Sequence, residues 1–150
     1  MDLELAIEIK EVDANMIRPL RHAELRRGQD FSTTSYLRDN EDSTFHMASI
    51  LGGKVVSCAT FYPQKSKKLK AIKPYRLRGM ATDSSFKRKG YARQLMRIAF
   101  LELKSKGADF VWCHARLVAL DFYKSLGFII KGDLFDVETI GPHYYMHKQI

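Results

Sequence analysis

At 150 residues and 45% hydrophobic content, the chain suits one compact domain, which at this size buries on the order of 70% of the surface its unfolded form exposes. Its apolar runs are too short to cross a bilayer as helices, and MDLELAIEIK begins acidic and alternating, without a basic leader and apolar stretch, so a soluble cytoplasmic protein is expected. The net charge of +8 is local: residues 65–93 hold eleven of the 25 Lys and Arg against one of the 17 acids, Asp83, leaving 14 basic and 16 acidic side chains elsewhere.

Residues 4–12 alternate like a strand, and Asp13 is an N-cap for a helix that carries Ile17, Leu20 and Leu25 on one face and ends near Gly28. Residues 29–43 are polar with scattered aromatics and read as a loop or a broken second helix. TFHMASI and VVSCATFYP flank Leu-Gly-Gly-Lys, the pattern of two antiparallel strands joined by a tight turn, because paired glycines accept the positive φ that hairpins demand. A basic loop follows, then a strand over 74–82. Residues 91–106 form a long helix with apolar positions 92, 95, 96, 99 and 103, stopped by Gly107. A buried strand over 109–115, a short helix LVALDFYKSL closed by Gly127, a strand FIIKG and a last strand HYYMHKQI complete the chain. The order predicts an α/β fold with one mixed sheet and helices on both faces.

Cys58 and Cys113 lie in apolar strand-like runs and read as buried reduced thiols. No CxxC or His/Cys cluster suggests a metal, so none is expected. A segment as basic as 65–93 should bind a polyanion: nucleic acid, an acidic membrane or a phosphorylated cofactor. The KSKKLK stretch taken alone reads equally well as a solvated loop.

The junction MATDSSFKRKGYARQLM is more specific. A strand ends, a turn rich in Ser, Lys, Arg and Gly follows, and a long helix begins. The first amides of a helix lack internal partners and their dipoles point at the turn, while Gly90 lets backbone approach a bulky anion. Lys87, Arg88, Lys89 and Arg93 add charge around that cradle, although an ordinary solvated helix start has a similar composition.

The segment Lys87-Arg88-Lys89-Gly90-Tyr91-Ala92 resembles the acetyl-CoA pyrophosphate loop of the GNAT superfamily: Gln or Arg, two residues, Gly, one residue, then Gly or Ala. Lys87 departs from the first position, a mild change where backbone amides make the grip. CHARLVALDFYKSLGF resembles the family's later signature through Ala119, Phe122, Tyr123, Gly127 and Phe128. The two motifs occur in the family's order and spacing, and the resemblance covers essentially the whole chain. YRLRGMAT, the CHAR stretch and GPHYYM look similar to the ElaA-like branch. His114 stands where Asn is expected, which puts the hydrogen bonding near the acyl group in question.

The resemblance implies a single domain over 1–150 with the GNAT acyl-CoA N-acyltransferase fold. It implies an acetyl-CoA-dependent N-acetyltransferase in which an amine attacks the thioester directly in a ternary complex. Met80, Ala81 and Thr82 would offer backbone N–H groups to the pantetheine arm and carbonyl oxygen. Lys87, Arg88, Lys89, Gly90, Tyr91, Ala92, Arg93 and His114 would complete the cofactor contacts, and Tyr123 would protonate the departing sulfur. Candidates for the general base are Glu24, Glu41, Asp42, His46 and His114, or a water chain. Arg21, Arg26 and Arg27, with the acidic loop 39–42, would flank the acceptor or pair with each other. The implied partners are acetyl-CoA and a small-molecule or peptide amine, with no nucleic acid, no membrane and room for a homodimer. A non-catalytic acyl-CoA sensor shares every cofactor feature. A nucleic-acid binder lacks a helix-turn-helix or RNP pattern.

Overall fold

The computed structural model describes residues 6–138 and 140–150. Glu4 and Leu5 of the first expected strand lie outside those residues. Eight strands form one mixed sheet: β1 (Ile7–Val12), β2 (Phe45–Leu51), β3 (Lys54–Pro63), β4 (Pro74–Thr82), β5 (Phe110–Arg116), β6 (Ile129–Ile130), β7 (Phe135–Val137) and β8 (Gly141–Gln149). The hydrogen-bonded order is β1-β2-β3-β4-β5-β8-β6, with β7 also on β8. Three α-helices accompany them, α1 (Ala14–Leu25), α2 (Tyr91–Ser105) and α3 (Leu120–Ser125). The chain divides into two compact units: one runs to Tyr62 and adds Gly79–Leu101, the other comprises Pro63–Arg78 and Glu102–Ile150.

In the first unit, β1 and β3 flank β2 antiparallel, with Val12 opposite His46 and Phe45 opposite Phe61. Gly52 and Gly53 take φ of 56° and 80°, so the predicted glycine hairpin forms for the predicted reason. Ile17 and Leu20 of α1 pack on Ala48, Ile50, Cys58 and Ala81, with Leu25 partly buried at the edge. On the opposite face of β2, Ser49 donates to the carbonyl of Tyr91, at the start of α2. Asp13 is the N-cap residue, but its side chain makes no cap bond. Pro19 lies inside α1, where it withholds one helical N–H. Residues 29–43 contain no second α-helix, only a 3-10 turn over Phe31–Thr34 whose N-cap, Asp30, accepts from the Ser32 amide.

In the second unit, β4 pairs parallel with β5 over Pro74–Arg76 against Phe110–Trp112, and β5 pairs antiparallel with β8 from Phe110↔Gln149 to Arg116↔His143. Val111, Cys113 and Ala115 point to the buried side, each at most 2% exposed. Alternation therefore sends Trp112, His114 and Arg116 to the other face. Strand β7 lies in a stretch not expected to be structured. It is three residues long, and its pairing with Gly141–His143 of β8 leaves no local signal.

Candidate active site

Strand β4 ends at Thr82, and the next residues form a tightly tied turn in the first unit. The Asp83 carboxylate accepts from the Ser85 amide and pairs with Lys54 at 3.3 Å; these contacts hold its pKa below the ordinary carboxylate value, against weak burial. A 3-10 turn spans Ser84–Phe86. Glu24 of α1 accepts from both the amide and the hydroxyl of Ser84, at 2.9 and 2.7 Å. It also approaches Lys87 at 4.0 Å. Glu24 thus anchors the turn, a role that sequence did not suggest.

Arg88 follows with φ of 63°, the sole non-glycine residue with positive φ among the described residues. That conformation is uncommon for a residue bearing a Cβ and costs of order 1 kcal/mol or more. Gly90, φ 83°, precedes the first residue of α2. A Cβ at Gly90 would meet no atom within 4 Å, so the space beside that backbone is open. The first helical bond runs from Gln94 N–H to the Gly90 carbonyl at 3.0 Å. A helix start leaves its first amides without an acceptor from the preceding turn. Lys87, Arg88 and Lys89 are exposed, and Lys89 lies over the Phe86 ring at 5.6 Å. Open backbone at Gly90, helix-start amides and exposed cations together make this turn a favourable place for an anion. Ala81 faces the α1 core, while Met80 and Thr82 are half-buried.

Several base candidates are already engaged. Arg21 is fully buried and binds both Asp39 oxygens, at 2.6 and 3.0 Å, as well as Thr60 at 2.6 Å and the Thr34 carbonyl at 2.8 Å. Its guanidinium lies 3.9 Å from the Tyr36 ring centroid. A Cβ on Gly79 would come within 3.1 Å of that ring and 3.2 Å of Arg21, so the position excludes larger residues. Burial pushes the Asp39 pKa up, but the Arg21 bonds, the Tyr36 amide and the Arg21 charge outweigh it and leave it lowered. His46 Nε2 lies 2.9 Å from the Asp39 carbonyl and Nδ1 lies 2.8 Å from Thr60 Oγ1. A carbonyl only accepts, so Nε2 carries the proton and the Nδ1 lone pair receives the Thr60 hydroxyl. His46 has no lone pair left for a substrate. Glu41 is paired with Arg38, and Arg27 donates to the Ala23 carbonyl. The pairing alternative for Arg21 and the acidic loop is the one the structure bears out.

In the second unit, Tyr123 of α3 is 6% exposed and packs edge-on against Phe122 and Phe128. Burial holds its pKa well above 10, further raised by Cys113 and offset in part by Arg116, so the phenol is a proton-bearing group at neutral pH. His114 is exposed on the opposite face of β5. Its pKa is held down at about 4, first by desolvation and then by Arg76, His143, Lys68 and Arg78, so its ring is neutral. Cys58 and Cys113 are buried free thiols pushed up to about 12, chiefly by burial, as the sequence reading held. Among the described residues no cluster of His, Cys, Asp and Glu has the makings of a metal site, and no helix is long and apolar enough to cross a membrane.

Residues 14–128 match the family model described as Acetyltransferase (GNAT) family. The chain belongs to that family, and its fold is the GNAT acyl-CoA N-acyltransferase fold. Bacillus subtilis YitI, an uncharacterized N-acetyltransferase, is 32% identical over 144 residues, covering 96% of this chain and 97% of YitI. Among solved structures, an aminoglycoside 6'-N-acetyltransferase complexed with coenzyme A superposes with a TM-score of 0.77 at 14% identity, over 95% of this chain and 96% of that one. Escherichia coli ElaA has a TM-score of 0.69 at 17% identity, covering 95% and 99%. At these identities the two structures speak to the fold alone.

Proposed function

We propose that the chain is an acetyl-CoA-dependent N-acetyltransferase, acting as one domain and in the cytoplasm, that joins acetyl-CoA and an amine in a ternary complex. The observation that carries this reading is the turn from Asp83 to Arg93, where exposed Lys87, Arg88 and Lys89 flank open backbone at Gly90 and the start of α2. The family match from 14 to 128 runs through both compact units, which supports treating them as one functional domain.

Acetyl-CoA supplies an activated thioester. The chain's part is to hold the pyrophosphate on the amides of Tyr91, Ala92 and Arg93, to orient the acyl arm along Met80, Ala81 and Thr82, and to deliver a proton. The amine nitrogen attacks the carbonyl carbon, the C–N bond forms and the C–S bond breaks. The nitrogen releases a proton, and the sulfur takes one from the Tyr123 phenol. The Tyr123 phenol carries its proton at neutral pH, and burial, which raises its pKa, makes it a weaker acid than a free tyrosine, so the role rests on its match to the family signature. Glu24, Glu41 and His46 are committed to other partners, so proton removal from the amine falls to solvent or to a group outside that set.

A thiol-release assay with acetyl-CoA over a panel of amines tests the reading. Amine-dependent release is expected. CoA binding with no release for any amine would make the protein an acyl-CoA sensor instead, and absence of CoA binding to the folded protein would sink both.

A further inference from the structure

The turn between β4 and α2 is tied to the rest of the first unit at both ends. On its near side the Asp83 amide donates to the Val56 carbonyl of β3 at 2.8 Å. The Ser84 amide and hydroxyl donate to Glu24 Oε1 at 2.9 and 2.7 Å, and the same hydroxyl lies 3.0 Å from Oε2. On its far side the Ser49 hydroxyl of β2 donates to the Tyr91 carbonyl at 3.2 Å. Between those ties Lys87, Arg88, Lys89 and Gly90 are exposed, so the ties decide where this stretch stands.

The Glu24 tie is made at a cost. Glu24 lies in the last turn of α1, the end at which the helix dipole is negative and disfavours a carboxylate. Its side chain is 12% exposed, which adds a desolvation cost to that placement. Its charge also stands beside a turn proposed for an anion, with Oε2 4.0 Å from Lys87 Nζ. Packing of α1 does not call for an acid there, because Ile17, Leu20 and Leu25 carry the apolar stripe. Set against these costs are the Ser84 bonds, in which two donors of the turn converge on one ionised acceptor, the stronger kind of hydrogen bond.

We propose that Glu24 is a positioning residue for the cofactor: by holding Ser84 it fixes the pose in which Lys87, Arg88, Lys89 and Gly90 meet the phosphates of acetyl-CoA. This rests on the acetyl-CoA reading of the turn. An untied turn samples many poses and loses that freedom when ligand binds, whereas a tied one is ordered beforehand and binds more tightly. What Glu24 supplies is an acceptor oxygen and not its charge, which repels phosphate. Gln at this position keeps an acceptor oxygen for Ser84, and Ala does not.

Glu24→Gln and Glu24→Ala both remove the charge, so the difference between them isolates the bonds. With CoA as the probe in titration calorimetry, Glu24→Ala should bind at least about tenfold more weakly than Glu24→Gln. Glu24→Gln should bind at least as tightly as the unaltered protein, and any advantage should shrink between about 0.1 and 1 M salt as screening removes the repulsion. Ser84→Ala removes the hydroxyl donor and keeps the amide donor. It should weaken CoA about twofold to fivefold alone and add nothing in the Glu24→Ala background. At an exposed position, it carries the test by itself should Glu24→Ala fail to fold. In turnover, Glu24→Ala should raise the KM for acetyl-CoA and leave kcat within about twofold, because Glu24 does not touch the reacting atoms. Loss of folded protein would do the reverse, lowering kcat and sparing KM. Equal CoA affinity in the Ala and Gln variants would overturn the proposal, as would a Ser84→Ala effect of the same size with and without Glu24, or a fall in kcat at constant KM. Unaltered protein that binds no CoA would sink the cofactor reading and this proposal with it, whereas CoA binding that is alike in every variant would sink this proposal alone.

Discussion

Burial holds the Tyr123 pKa well above its ordinary value of 10, so the phenol carries its proton at neutral pH and gives it up less readily than a free tyrosine. Tyr123→Phe removes the hydroxyl and little packing, so turnover should fall about a hundredfold to ten-thousandfold. The CoA dissociation constant should change by less than about threefold, because only the transition state uses that proton. Undiminished turnover where chemistry limits the rate would reduce Tyr123 to a packing residue. His114 makes a second residue-scale prediction. Its folded pKa of about 4 lies below the ordinary 6.5, so between those values the unfolded chain takes up a proton that the folded protein refuses. Stability is therefore intact above about pH 6.5 and is lost as pH falls toward 4. Denaturation series across that window should show a shallower acid slope for His114→Asn, and an unchanged slope would discount the assignment. The family signature around Tyr123 was legible because it is local, and His114 stood out as a departure from that pattern. The Arg21, Asp39, Thr60 and His46 network was not legible. Its partners lie 18 and 39 positions from Arg21, and no local rule joins them. Breaking a buried ion pair costs about 3–5 kcal/mol, so Asp39→Ala should lower the denaturant midpoint accordingly.

Elements read well where periodicity and punctuation agreed. Helix α2 begins at Tyr91 as expected and ends at Ser105, because its apolar positions recur at helical spacing and Gly107 follows. Strand β4 has the expected bounds. The short helix expected over 117–126 instead opens with a 3-10 turn, Leu117–Ala119, before α3. Strand β7 exists only through its pairing with β8, so tertiary context decided it. The turn between β4 and α2 was legible as a turn that opens a long helix, whereas its anchor Glu24, 60 positions from Ser84, was not. Gly90→Trp tests the turn directly. Its Cβ meets open space but its φ of 83° strains any side chain, so the variant should fold with a penalty of about 1–2 kcal/mol. The indole would occupy the proposed pyrophosphate space and CoA should no longer stabilise the protein. Undiminished CoA affinity in the folded variant would place the phosphates elsewhere.

At the scale of the whole molecule, the fold class followed from the order of elements, and the division of the basic segment between two units did not, because charge along a chain carries no information about which face receives it. The proposed cofactor turn, Asp83 to Arg93, lies wholly in the first unit. The turn makes a prediction of its own. A ligand that binds only the folded state stabilises it by mass action, about 2.7 kcal/mol at a hundred times its dissociation constant. For a chain of 150 residues each kcal/mol is worth roughly 2–4 °C, so saturating CoA should raise Tm by several degrees, and an adenine nucleotide lacking the pantetheine arm should raise it less. Lys87, Arg88 and Lys89 are exposed, so their attraction for phosphate is screened as the Debye length shrinks from about 10 Å at 0.1 M salt to about 3 Å at 1 M. The amides at the start of α2 are neutral and keep their share. The shift measured against a CoA-free control at each salt concentration should therefore shrink between 0.1 and 1 M without vanishing. A shift that ignores salt would deny the lysines and Arg88 a part in binding, and no shift at millimolar CoA in the folded protein would remove the cofactor from the account altogether.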